Sequence, residues 1–72
     1  MNLHKFIRTV PDFPKDGILF RDITPLLADI EAFNFAIDKM VLLSKQFRPD
    51  VIAGIESRGF LFGSPISLKL GL

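Results

Sequence analysis

The stretch Val51-Ile52-Ala53-Gly54-Ile55-Glu56-Ser57-Arg58-Gly59-Phe60 decides how the rest of the chain is read. Val51 to Ile55 is a short apolar run, rich in β-branched residues, behind the turn-forming Arg48-Pro49-Asp50. That pattern predicts a buried strand rather than a helix. The run stops at a carboxylate, a hydroxyl, a guanidinium and a glycine, and apolar residues resume at Phe60. A strand that ends in a polar turn and feeds a helix is half of a βαβ unit, and in open parallel sheets ligands sit outside the carboxyl ends of such strands. Backbone N–H groups at the start of the following helix suit an anion, and Arg58 adds a planar cationic fork for phosphate oxygens. Residues 55 to 59 are therefore expected to form an anion-binding loop. The competing reading is a surface turn in which Glu56 and Arg58 form a solvated pair. Gly54 favours the loop, because a missing side chain within a strand often marks close approach of another backbone or a ligand.

Composition narrows the class. Seventy-two residues allow one small domain, burying roughly 60% of its unfolded surface. There is no Cys, so neither disulfides nor a thiolate metal site stabilise it. A net charge of +1 argues against nucleic-acid or membrane binding by bulk electrostatics. No apolar run approaches the roughly 18 residues that span a bilayer, and Met1 to Arg8 lacks the apolar core and cleavage site of a signal peptide. A soluble, intracellular chain is expected. Apolar residues make up 49% of it and eight are Phe, a heavy load for so short a chain. A buried parallel strand at 51–55 requires strand neighbours and helices on both faces. No second long strand is evident, so the chain reads as the front of a larger α/β domain, prone to aggregate as a free monomer.

Outside that stretch, Met1 to Thr9 is expected to form a short helix with Leu3, Phe6 and Ile7 on one face. His4 is read as a surface or helix-end residue rather than a metal ligand. Pro11, Pro14 and Gly17 interrupt regular structure, and Asp16-Gly17 is a tight-turn pair. Ile18 to Thr24 alternates two faces, as an extended segment does. One reading is an edge strand burying Phe20 and Ile23, with Arg21 and Asp22 in water; the other offers Phe20 as a flat stacking surface for a planar ligand. Pro25 to Ala28 suits a single helical turn, and Asp29 is a suitable N-cap with Glu31 in the first turn. Phe33, Ile37, Met40, Leu43 and Phe47 then recur at helical spacing as the expected core stripe, with Ala36 beside them. Phe35, Val41 and Leu42 widen the apolar surface, so that cover on more than one side is expected. The last segment is helical in pattern but carries Gly63 and Pro65. Either a helix starts at the Arg58-Gly59 corner and bends at Pro65, or Ser64 caps one that begins with Pro65. Gly71 is a helix stop.

PDFPKDGILFRDITPLLAD, then a helix containing EAF, then DVIAGIESRGFLFGSPISLKLGL resemble the amino-terminal part of the adenine phosphoribosyltransferase family, from Ile7 to Leu72. FRDITP and GIESRGFLFG occur in the family's order and spacing. The resemblance implies a partial type I phosphoribosyltransferase fold, an α/β class with a Rossmann-like parallel sheet. Here that would be a hood over the base, about 1–28, followed by the start of the core, about 29–72. It implies a cytoplasmic, homodimeric enzyme of purine salvage that joins adenine to phosphoribosyl pyrophosphate, with magnesium, giving AMP and pyrophosphate. Adenine would stack on Phe20, its edge read by main-chain groups of Leu19 and Arg21. Glu56, Ser57, Arg58 and Gly59 would hold pyrophosphate, the Glu56–Ser57 peptide tending to be cis in the family. Arg58 would be catalytic, stabilising charge on the leaving group while the ribose carbon passes through an oxocarbenium-like state.

The chain departs from the family in one large respect. The family's strand ending in two adjacent acidic residues, its Thr- and Gly-rich phosphate loop and its closing flexible loop have no counterpart here, and Asp22 and Glu56 do not replace the acidic pair. The 72 residues alone are expected to be inactive, and no magnesium ligand is expected among them. The alternative function is a non-catalytic α/β interaction module derived from the same family.

Overall fold

Asn2 opens the ordered structure by accepting a hydrogen bond from the His4 N–H at 3.0 Å, which caps a 3₁₀ turn over Leu3–Phe6. The expected helix goes no further. Ile7 is already extended, and β1, Arg8–Pro11, pairs antiparallel with β2, Leu19–Asp22. β-branched Ile7, Thr9 and Val10 favour that geometry, and a cross-strand partner within reach settles it. The computed structural model describes residues 1–72, which divide into two compact units, Met1–Phe35 and Ala36–Leu72.

In the first unit the hairpin register pairs Arg8 with Asp22, Thr9 with Arg21, Val10 with Phe20 and Pro11 with Leu19. Arg8, Val10, Phe20 and Asp22 therefore share one face, and Thr9, Pro11, Leu19 and Arg21 share the other. The loop between the strands is closed by the Ile18 N–H on the Lys15 carbonyl at 3.2 Å. Gly17 sits at the third turn position with φ 85°, where a side chain would be strained. α1, Thr24–Ala28, follows β2 with Pro25 in its first turn and packs on the 3₁₀ turn.

α2, Ile30–Lys45, starts where expected. The Asp29 carboxylate accepts from the Ala32 N–H at 2.9 Å, a side-chain N-cap. Its buried face matches the expected one in part: Ile37 and the adjoining Ala36 are buried and Phe33 is half-buried. Ala32, Ala36, Ile37 and Val41 are buried, whereas Met40, Leu43 and Phe47 are exposed. Nearly every turn of this helix carries apolar residues on several sides, so helical spacing alone left the choice of inward face to packing.

The second unit continues from Ala36 through the end of α2 to α3, Glu56–Leu70. The two helices are joined by an ion pair from the Lys69 ammonium to the Asp38 carboxylate. α3 is one helix from Glu56 with Pro65 inside it, as in the first of the two readings but starting two residues before Arg58, and the alternative start capped by Ser64 does not hold. Pro65 has no N–H, so the backbone hydrogen bond it would make is lost. Gly71 ends the helix in the left-handed region at φ 74°. The Leu72 N–H returns to the Ser67 carbonyl at 2.9 Å and the Gly71 N–H to Leu68 at 3.2 Å, which satisfies carbonyls the helix leaves open.

Residues 51–55 form no sheet ladder; the one sheet here is the antiparallel hairpin. The segment nevertheless alternates in burial, with Ile52 and Gly54 half-buried and Val51, Ala53 and Ile55 exposed. Its inner face lies on α3, where Ile52 Cγ2 and Gly54 Cα come within 3.7 and 3.8 Å of where a Cβ on Gly63 would lie. Its outer face is bare, Val51 and Ile55 being 78% and 84% exposed. A parallel strand takes its ladder from a neighbour reached through a crossover of a dozen or more residues, and no such neighbour runs beside this one. The α/β class stands, and the expected parallel strand is present only as an unpaired extended run.

Candidate functional site

The corner after residue 55 is built by three glycines and one strained residue. A Cβ on Gly54 would lie 3.0 Å from the Gly59 carbonyl oxygen, and one on Gly59 would lie 3.1 Å from the Gly54 carbonyl carbon. The extended run and the first turn of α3 thus touch backbone to backbone. Gly59 and Gly63 fall one turn apart on the same helix face, and together they let residues 52–54 lie against it. Each glycine in a helix costs about 0.5–1 kcal/mol relative to alanine, and the close approach it permits offsets that cost.

Glu56 is the first residue of α3, yet its φ is +61°. Holding a non-glycine residue in this region costs about 1–3 kcal/mol and persists where surrounding structure enforces it, often at functional sites. The expected cis peptide between Glu56 and Ser57 is absent; the cis bond in this chain is Phe13–Pro14. The sharp change of direction at 56 is made by the backbone dihedral of Glu56, with its following peptide trans.

The first helical hydrogen bond of α3 is from the Gly59 N–H to the Ile55 carbonyl at 3.3 Å, and no side chain caps this end. The N–H groups preceding Gly59 therefore lie outside the helical ladder, at the positive end of the helix dipole. Ile55, Glu56, Ser57, Arg58 and Gly59 all line one open cavity of about 580 Å³, with Met40 and Phe62 supplying apolar wall. The Arg58 side chain is exposed and forms no ion pair with Glu56. Glu56, Ser57 and Arg58 are all exposed, and the corner presents uncapped donors and a guanidinium to one open space.

The second cluster lies in the first unit. Leu19, Phe20 and Arg21 are consecutive in β2. Backbone groups of residues 19 and 21 point to the same strand edge while the Phe20 side chain stands across it. Phe20 is half-buried and meets Phe13 edge to face, ring centroids 5.1 Å apart and planes at 69°. Both rings line a cavity of about 420 Å³ with Val10, Arg8, Asp22 and Thr24. Phe13 carried no signal in the sequence; its only clue was an aromatic residue between two prolines, close to the turn.

Asp22 was expected in water and is buried instead, at 9% exposure. Its carboxylate accepts from the Thr24 N–H at 2.9 Å and the Thr24 hydroxyl at 2.8 Å, and pairs with Arg8 across the hairpin. It ties β2 to the start of α1, the local side-chain turn that Asp favours. The Thr24 bonds, and after them Arg8, hold the carboxyl below its ordinary range, against the opposing effect of burial. A lowered folded value means that the unfolded chain binds the proton more readily. The stabilisation is therefore complete above the unfolded value of about 3.9 and is lost as pH falls through the lowered folded value. We expect amide-exchange protection at residues 20–24 to hold from neutral pH down to about pH 4 and to fall below it. Asp22→Asn should weaken protection at neutral pH and flatten the acid limb; an unchanged acid limb would assign the effect to another group.

No group of three His, Asp or Glu side chains converges anywhere in the chain. No helix is long and apolar enough to cross a membrane.

No protein-family model matches the chain. Solved structures do. It superposes with a TM-score of 0.80 at 48% identity on adenine phosphoribosyltransferase of Thermoanaerobacter pseudethanolicus, over 97% of this chain and 42% of that one. The Saccharomyces cerevisiae enzyme, in complex with an imino-altritol bisphosphate and adenine, superposes with a TM-score of 0.86 at 39% identity, over 97% of this chain and 44% of that one. The fold shared with these chains is that of the type I phosphoribosyltransferases, of which the 72 residues form a part. Within that class the sequence is similar throughout to the adenine phosphoribosyltransferases. It is 61% identical to that of Halothermothrix orenii over 97% of this chain, and 56% identical to that of Parvibaculum lavamentivorans over 100% of it. In both cases the chain spans 41% of the relative's length.

Proposed function

We propose that this chain is the part of an adenine phosphoribosyltransferase that holds the base and the departing pyrophosphate. The carrying observation is the corner at 55–59, where four consecutive residues, Glu56, Ser57, Arg58 and Gly59, line one open cavity at an uncapped helix start. In the reaction the adenine N9 bonds to the anomeric carbon of phosphoribosyl pyrophosphate as the bond to pyrophosphate breaks, and the proton of the base is released, giving AMP and pyrophosphate. Charge collects on the leaving oxygens. The N–H groups of the first turn and the Arg58 guanidinium suit those oxygens, and pre-aimed donors act without reorganising as the charge develops. Glu56 takes the strain of the corner, and Ser57 adds a hydroxyl.

The base is assigned to β2. Phe20 offers a flat apolar face, and main-chain groups of Leu19 and Arg21 read the edge of adenine; adenine and 9-deazaadenine in the solved relatives from yeast and Giardia lamblia support the class of ligand. The hood, about residues 1–28, carries this half. Mg²⁺ commonly binds substrate phosphates and keeps several waters, so magnesium would come with phosphoribosyl pyrophosphate, neutralising its phosphate charge, without a ligand from these 72 residues. The working enzyme is a cytoplasmic homodimer. No two acidic residues are adjacent in these 72, so turnover draws on residues matching the rest of the relatives' length.

The test fuses the 72 residues to the remainder of the Halothermothrix orenii relative, in place of its matching stretch, and measures AMP formation. Activity supports the assignment; a folded, dimeric fusion with none would favour the interaction-module reading. In that fusion Phe20→Ala should raise KM for adenine about tenfold, the scale of one base–aromatic stack, and leave KM for phosphoribosyl pyrophosphate nearly unchanged. Equal rises in both constants would make Phe20 a core residue only.

A further inference from the structure

We infer that Phe13 is a positioning residue of the base site, its edge-on contact fixing the plane of the Phe20 ring. This rests on the assignment of Phe20 as the stacking surface. A phenyl ring turns about its χ2 torsion over a broad, two-fold well, and a stacked base needs one fixed plane. Val10 stands opposite Phe20 in the hairpin register, and an aliphatic side chain has no quadrupole with which to set the plane of a ring. Phe13 does orient it, because an edge-to-face pair at 5.1 Å and 69° places the positive edge of one ring on the negative face of the other.

The loop that carries Phe13 is tied down at several points. The Phe13 N–H donates to the Ile18 carbonyl at 3.1 Å, and the Gly17 N–H donates to the Asp12 carboxylate at 2.8 Å. Asp12 itself is held at φ 55°. Phe13 is 49% exposed, so its ring is too open to serve as a core anchor, and its well-defined partner is Phe20. Both rings line the same cavity. A loop bonded on both sides of an exposed ring that meets the stacking residue is explained by a need to hold that ring in place.

The experiment uses the fusion described above. Phe13→Ala is expected to raise KM for adenine about three- to tenfold, the scale of one aromatic pair, with kcat and KM for phosphoribosyl pyrophosphate within about twofold. Phe13→Tyr keeps the ring edge and should restore the parent value. Phe13→Leu keeps apolar bulk without a ring and should behave as Phe13→Ala does; full function with leucine would overturn the inference. In a Phe20→Ala background Phe13→Ala should have no further effect, and an additive loss would also overturn it. If Phe20→Ala raises KM for adenine while Phe13→Ala does not, this inference alone fails. If neither does, the base assignment fails and takes the inference with it.

Discussion

Arg58→Ala in the fused enzyme is expected to lower kcat for AMP formation by about 10²- to 10³-fold, the usual cost of removing one donor aimed at developing charge. KM for adenine should change little, because the base is assigned to β2. The expectation follows from where Arg58 stands. It lines the cavity at the start of α3 beside N–H groups that no side chain caps, and it has no carboxylate partner to hold it elsewhere. Arg58→Lys should recover only part of the rate, since a point charge cannot reproduce a planar fork on phosphate oxygens. Steady-state kinetics with both substrates varied decide it. An unchanged kcat in Arg58→Ala would remove the guanidinium from the mechanism and leave the corner as backbone only.

The second large effect concerns a residue with no side chain. Gly54→Ala would place a Cβ 3.0 Å from the Gly59 carbonyl oxygen and 3.1 Å from both its carbon and Phe60 Cδ1. Two of those neighbours are backbone and cannot swing aside, so the extended run and α3 must part. Overpacking of this kind costs about 1–3 kcal/mol, and it displaces the corner that carries Glu56 to Gly59. We expect a lower urea midpoint with unchanged m, together with a raised KM for phosphoribosyl pyrophosphate. Gly63→Ala is the control. Its Cβ would meet Ile52 Cγ2 at an ordinary 3.7 Å, and alanine gains about 1 kcal/mol of helix propensity over glycine, so that variant should be as stable as the parent or more so. Equal stability of Gly54→Ala and Gly63→Ala would mean that the close approach at 54 and 59 is not a constraint.

Local chemistry announced a good part of this. Asp29 as a cap, Gly71 as a stop, Gly17 at the turn and the alternation along Ile18 to Ile23 each depend on interactions within a few residues, which a reader of the chain can follow. Gly54 was legible as a point of close approach, and the structure names what approaches: Gly59. The motifs FRDITP and GIESRGFLFG carried the resemblance.

Tertiary packing decided the rest, because it ranks options that spacing leaves equal. On α2 the expected Ala36 and Ile37 turn inward with Ala32 and Val41, while Met40, Leu43 and Phe47 stay exposed. Arg8 and Thr9, expected at the end of a helix, lie instead in β1 where β2 gives them a ladder, and 51–55 stays unpaired for want of one. Asp22, polar and next to Arg21, was assigned to water by its type; Thr24 and Arg8 bring it inside. Phe13 and Phe20 lie on opposite sides of a tight loop, and only the folded hairpin sets one ring against the other. The Thr24 bonds to Asp22 are local, two residues along the chain. The Arg8 pair and the contact of Phe13 with Phe20 depend instead on the strands and their loop coming together, and no local pattern encodes that.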